Sequence, residues 1–207
     1  SAPCRLATVP TAWPQRYAPR NVSDGVNGTN RSGVTLASQR RLTMATKADT
    51  DATHILAADH RKVEDLFSKY EGASGVKAKA EIANQICNEL KIHTVIEEEI
   101  FYPALEGKID DDLLKEAYVE HDGAKMLVNE IAAGSPDEEF YDAKVTVLKE
   151  QIEHHVKEEE KQHENMFQQA RAANVDLDAL GQQMLARKED LMVLAEGDGL
   201  PPAEMRT

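Results

Sequence analysis

The sequence predicts an all-α fold: an up-down-up-down four-helix bundle with an extra C-terminal helix and a disordered N-terminal tail. Three observations carry that expectation. From Thr50 onward apolar residues recur at steps of three and four, the period of one helix face. Four of these stretches are long and joined by short breaks marked by Gly, Pro or Asp, which makes consecutive helices antiparallel neighbours. Aromatic residues make up only 5% of the chain while Glu, Lys, Ala and Leu are plentiful, a balance that favours helix over sheet.

Residues 1–47 show no apolar period and are rich in Pro, Gly, Ser, Thr and Asn, so they read as a disordered tail outside the fold. The first 43 residues hold six arginines against the single acid Asp24, a faint likeness to an organellar transit peptide. Three glycosylation sequons begin at Asn21, Asn27 and Asn30; with no apolar signal segment they read as chance, and Met44 reads as the natural start. The bundle is assigned to residues 48–172, and residues 173–207 to a C-terminal amphipathic helix and tail.

The first helix is expected from Asp51 to Tyr70, with Thr53, Leu56, His60, Val63, Phe67 and Tyr70 on its apolar stripe. The second runs from Val76 to Tyr102, where Pro103 ends it, because the residue before a proline is pushed out of helical angles. Asp110 to Asp112 give the third an acidic start that suits the helix dipole. Gly134 to Asp137 close it and open the fourth, with Ser135 as cap and Pro136 in the first turn. The fourth is expected to reach Ala172 unbroken. A fifth stripe, Leu177, Leu180, Met184, Leu191 and Leu194, must bury against the bundle or against a second copy, and Pro201-Pro202 ends order.

Charge and composition exclude several classes. Beyond residue 43 the chain carries 18 basic and 36 acidic residues, a balance of −18 that repels phosphate backbones, so no nucleic-acid partner is expected. No run of 18 apolar residues exists to span a membrane. The two cysteines, Cys4 and Cys87, make no disulfide framework and suit a reducing, cytoplasmic setting.

The chemistry lies in a repeated pair. His93 and Glu97 are four residues apart and share a helix face. His155 and Glu159 repeat the pair, and a lone histidine precedes each: His60 by 33 residues and His121 by 34. All six fall on apolar stripes. One such histidine alone is more often a hydrogen-bonded core residue. Four on four stripes, with two inward carboxylates that cost several kcal/mol to bury unpaired, call for a compensating cation such as iron, manganese or zinc. His54 and His154 sit on polar faces, and His163 lies between core rim and solvent. Glu98, Glu99, Glu158 and Glu160 read as a solvated acidic face. Pairing His154 with Glu158 would even out the repeat, but facing favours His155 and Glu159.

With these residues in place the chain resembles the hemerythrin-like, or HHE cation-binding, domain across about Asp51 to Arg171. The segments Asp59-His60-Arg61, His93 to Pro103 and Glu120-His121-Asp122 carry the likeness. The resemblance implies two iron ions in a bundle, with His60, His93, His121 and His155 as terminal ligands. Glu97 and Glu159 would bridge the ions beside an oxo or hydroxo group. Two departures matter. Oxygen-carrying members have a second histidine one turn after the third-helix one, where this chain has Lys125. Relatives often close the last helix with Phe-Pro, which is absent here, so helix four is expected to continue.

The expected function is binding of iron and, through it, of O2, NO or peroxide, for sensing, buffering or stress protection. Leu56, Val63, Ile86, Leu90, Ile100, Leu148 and Ile152 would form dry walls. The alternatives are a di-iron peroxidase or ferroxidase, with Tyr118 the one candidate proton donor although core packing is the role favoured for it, and a structural zinc or manganese site. A homodimer through the C-terminal helix is the expected mode of self-association.

Overall fold

The structure, a computed structural model, describes residues 51–207. The tail assigned to residues 1–47, its sequons, Cys4 and the Met44 start lie outside the described residues. Among those described there is no strand, and no helix is long and apolar enough to cross a membrane. Four long helices form the bundle: α1 (Ala52–Gly72), α2 (Val76–Ile96), α4 (Asp111–Ala133) and α5 (Tyr141–Val156). Each packs on its neighbour in chain order, and α5 returns to α1, closing the ring. A short helix α3 (Tyr102–Leu105) extends α2, α6 (Met166–Ala172) follows α5, and α7 (Leu177–Glu196) lies against α1 and α2.

Helix starts follow local chemistry. Asp51 accepts from the backbone amides of Thr53 and His54, and Asp110 from those of Asp112 and Leu113, satisfying donors that a helix start leaves open. The fourth long helix opens later than expected, at Tyr141. Ser135 is not its cap: its hydroxyl bonds Asp137, and residues 135–140 are spent on turns. Gly134 keeps that turn close-packed, since a Cβ would sit 3.1 Å from the Glu130 carbonyl and 3.3 Å from the Tyr141 ring, tight enough that the neighbours would have to shift.

Two further expectations are corrected. Pro103 does not end helix two. The chain makes a π turn at Glu97–Phe101, where the Tyr102 amide donates five residues back to the Glu97 carbonyl, and α3 restarts with proline in its first turn, where no N–H is needed. Helix four does not reach Ala172. A second π turn, Lys157–Lys161, is followed by a break, with Gln162 extended and Glu164 left-handed at φ 59°. Asn165 organises the break: its amide donates to the Glu160 and Gln162 carbonyls, and its oxygen caps α6 at the Gln168 amide. His163 falls in this break and is exposed.

The core is two apolar clusters with a polar layer between them. One holds Val63, Leu90, Ile152 and Leu148, the other Leu56, Ile96, Phe101 and Phe167. Helix α7 adds Met184 and Leu191 to the second cluster, so much of its apolar stripe is covered by the bundle itself. Order does not end at Pro201-Pro202: Ala203 exchanges two hydrogen bonds with Asn129, and Asp122 accepts from the Arg206 and Thr207 amides.

Candidate metal centre

The polar layer is made of the six residues singled out from sequence. His60, His93, Glu97, His121, His155 and Glu159 are each at most 4% exposed. The Nε2 atoms of His60 and His93 face each other at 3.1 Å, and those of His121 and His155 at 3.3 Å. Each carboxylate touches one histidine of each pair. Glu97 Oε2 lies 3.1 Å from His93 and 3.3 Å from His121, and Glu159 Oε2 lies 3.4 Å from His60 and 3.5 Å from His155. Both π turns fall at these glutamates, the recurring place for such bulges.

A second carboxylate lies near the other nitrogen of each imidazole, hydrogen-bonded at His121 and His155 and further off at His93 and His60. His121 Nδ1 donates to Glu98 at 2.9 Å and His155 Nδ1 to Glu120 at 2.8 Å. Asp59 stands 3.7 Å from His93 Nδ1, and Glu160 stands 3.6 Å from His60 Nδ1. For His121 and His155 the Nδ1 hydrogen bond fixes the tautomer and turns the Nε2 lone pair inward, whereas the Nδ1 atoms of His60 and His93 are buried without a hydrogen-bond partner. The supporting carboxylates are themselves held: Glu98 by Lys125 at 2.6 Å, Asp59 by Lys188 on α7, and Glu160 by Arg61. The expected solvated acidic face is therefore corrected for Glu98, which is 7% exposed, and for Glu158 and Glu160, which are largely covered. Lys125, standing where oxygen carriers have a histidine, is buried in an ion pair with Glu98 and 3.3 Å from Asp122.

Four inward lone pairs and two carboxylates repel one another unless a positive charge joins them. Neither Glu97 oxygen accepts a hydrogen bond, nor does Glu159 Oε2, although all are fully buried. The titration behaviour reports the same shortage. Burial and the Glu97 charge push the Glu159 carboxyl up to about 7. Burial opposes the charge on His93, but Glu97 and Asp59 overcome it and lift the imidazole to about 10. His155 rises to about 9 in the same way, burial being outweighed by Glu159 and Glu120. His60 is held down by burial and by its neighbour His93. Protonated imidazoles here take the place that cations would fill, so the donor set fits one or two metal ions.

The sequence reading missed Tyr102. It is fully buried, and its hydroxyl donates to Glu159 Oε1 at 2.9 Å while lying 3.2 Å from His121 Nε2. Tyr118 has the expected packing role rather than that of a donor: it lies edge-on against the Tyr102 ring, with its own hydroxyl buried and unpartnered. Phe167, brought back by the break before α6, stacks on His60 with ring centroids 6.1 Å apart. Val63, Leu90 and Ile152 line a small cavity of about 10 Å3 beside the histidines. Ile100 is only partly buried.

A helical bundle with a buried histidine–carboxylate cluster defines a metal-binding bundle protein. Residues 51–167 match the Hemerythrin HHE cation binding domain, and the chain belongs to that family. It is similar in fold to the crystal structure of a hemerythrin HHE cation-binding domain-containing protein from Mycobacterium kansasii, at a TM-score of 0.61 and 23% identity, covering 72% of this chain and 94% of that one. It is also 29% identical over 114 residues to a DNA nickase from Nostoc sp., covering 55% of this chain. The chain spans about a third (32%) of that nickase's length.

Proposed function

We propose that the chain holds two iron ions and, through them, binds O2, NO or peroxide in a sensing, buffering or protective role. The observation that carries this reading is the sharing of both carboxylates between the two histidine pairs. His60 with His93, and His121 with His155, would each hold one ion, with Glu97 and Glu159 common to both. Bound iron supplies electrons and a coordination position to a small ligand. The protein's part is to aim His121 and His155 through Glu98 and Glu120 and to keep bulk water away with Val63, Leu90 and Ile152. We propose no nucleic-acid partner, because beyond residue 43 the chain carries 18 basic against 36 acidic residues, a balance that repels phosphate.

The Tyr102 hydroxyl supports a second reading, a peroxidase or ferroxidase. Burial and the Glu159 and Glu97 charges hold the phenol well above its ordinary range, so it stays protonated and is placed to share a proton with Glu159 Oε1. Metal content and a visible spectrum of protein from iron-supplemented cells decide the metal. About two irons per chain with near-ultraviolet charge-transfer bands support the proposal, and a single zinc or none after reconstitution refutes it. Glu97→Ala and Glu159→Ala should each lose metal yet stay folded. Consumption of peroxide over many cycles would replace the binding role by the enzymatic one.

A further inference from the structure

We propose that His154, Glu158 and Glu120 form a second, outward-facing site for one divalent transition-metal ion. Each of the three immediately precedes a residue of the buried centre: Glu120 before His121, His154 before His155, Glu158 before Glu159. One residue turns a helix by about 100°. The α4–α5 contact that brings His121 to His155 therefore brings the preceding residues together on the outer side. His154 Nε2 lies 3.2 Å from Glu120 Oε1 and 3.4 Å from Glu158 Oε1, and one ligand atom from each residue falls within 4.8 Å of the others.

Two features separate this trio from an ordinary solvated helix face. Glu120 and Glu158 are largely covered, with side chains 20% and 19% exposed, yet among the described residues neither is ion-paired to a lysine or arginine. Four carboxylates of similar or greater burial elsewhere hold such a cation, Glu89 with Lys62, Glu160 with Arg61, Glu98 with Lys125 and Asp59 with Lys188, while the partly buried Asp51 is used as a helix cap. The other covered carboxylates whose ion-pair partners are all histidines are Glu97 and Glu159, at the buried centre. The second feature is access. Glu120 and His154 border an open groove of about 390 Å3 that also exposes Glu150, Gln151 and Gly123, so hydrated cations reach the trio directly. One imidazole with two carboxylates suits first-row ions such as Fe2+, Mn2+, Co2+ or Zn2+, with water completing the coordination. The two sites touch through one side chain, since Glu120 Oε2 accepts from His155 Nδ1 at 2.8 Å while Oε1 faces the outer trio.

The test is cobalt(II) titration of the full chain after iron loading, by equilibrium dialysis and by cobalt visible absorption. It compares the wild type with a His154→Ala/Glu158→Gln double variant, and with Glu158→Gln alone should the double variant fold poorly. The wild type should bind about one cobalt ion more than the double variant, with iron content and iron spectrum the same in both. Equal cobalt uptake would overturn the proposal and leave the trio a solvated face. The outer site does not depend on the di-iron reading: chains that take up no iron refute that reading, while the cobalt difference still decides this one.

Discussion

Glu98 and Glu99 are adjacent acids with opposite roles, and replacing each by alanine separates them. Glu98 accepts from His121 Nδ1 at 2.9 Å and ion-pairs Lys125 at 2.6 Å, all three groups being buried. Removing it leaves a buried ammonium with Asp122 alone, 3.3 Å away. Breaking a buried pair costs about 3–5 kcal/mol, and because Asp122 remains, the loss should fall near about 3. At roughly 2 kcal/mol per molar urea, that shifts the unfolding midpoint down by about 1.5 M. Glu99 loses a bidentate Arg187 contact whose two side chains are 48% and 36% exposed, worth at most about 1 kcal/mol. His121 without its Nδ1 acceptor should also hold metal about 10- to 100-fold more weakly, a loss Glu99→Ala should not show. Urea melts of the chelator-treated chain read the first effect, and chelator competition on the loaded chain reads the second. Equal midpoints for the two variants, or unchanged affinity in Glu98→Ala, would refute the orienting role.

Three further outcomes are expected. Tyr118→Phe removes a buried, unpartnered hydroxyl and should leave the melting temperature unchanged or raised, whereas Tyr102→Phe, which loses the bond to Glu159, should cost about 1 kcal/mol in the same calorimetric scan. Asn165→Ala loses the cap of α6 and two bonds across the break, about 1–2 kcal/mol, and should loosen Phe167 from His60, visible as shifted His60 resonances. Hydrogen bonds from Lys79 and Tyr70 hold the Asp142 carboxyl below its ordinary 3.8, so its stabilisation is present above that pH and lost below it. Urea midpoints of the wild type and Asp142→Asn should therefore differ at neutral pH and converge under acid. A gap that persists at low pH would show that the ionised carboxylate is not the cause.

The sequence by itself determined which faces turn inward. His60, His93, His121 and His155 could be placed because helical period is a local property, and a polar residue on an apolar stripe stands out without any tertiary knowledge. The inward placement of Glu97 and Glu159 followed from the same period, counted four residues on from a histidine. That count fails beyond them, and the failures share one cause. A π turn carries one more residue per hydrogen-bonded loop, so the faces after it rotate. In helix two this puts Glu98 inside, leaves Ile100 partly out and brings Tyr102 rather than Tyr118 to the centre. In helix four the turn leads into the Asn165 break and returns Phe167 to His60. The carboxylates behind the imidazoles were equally illegible. Asp59, Glu120 and Glu160 look like surface acids until α7, α5 and α1 supply the partners that cover them, and those partners lie 129, 35 and 99 residues away. Periodicity names the residues that face the core, but which nitrogen of each histidine faces it is decided by contacts between helices.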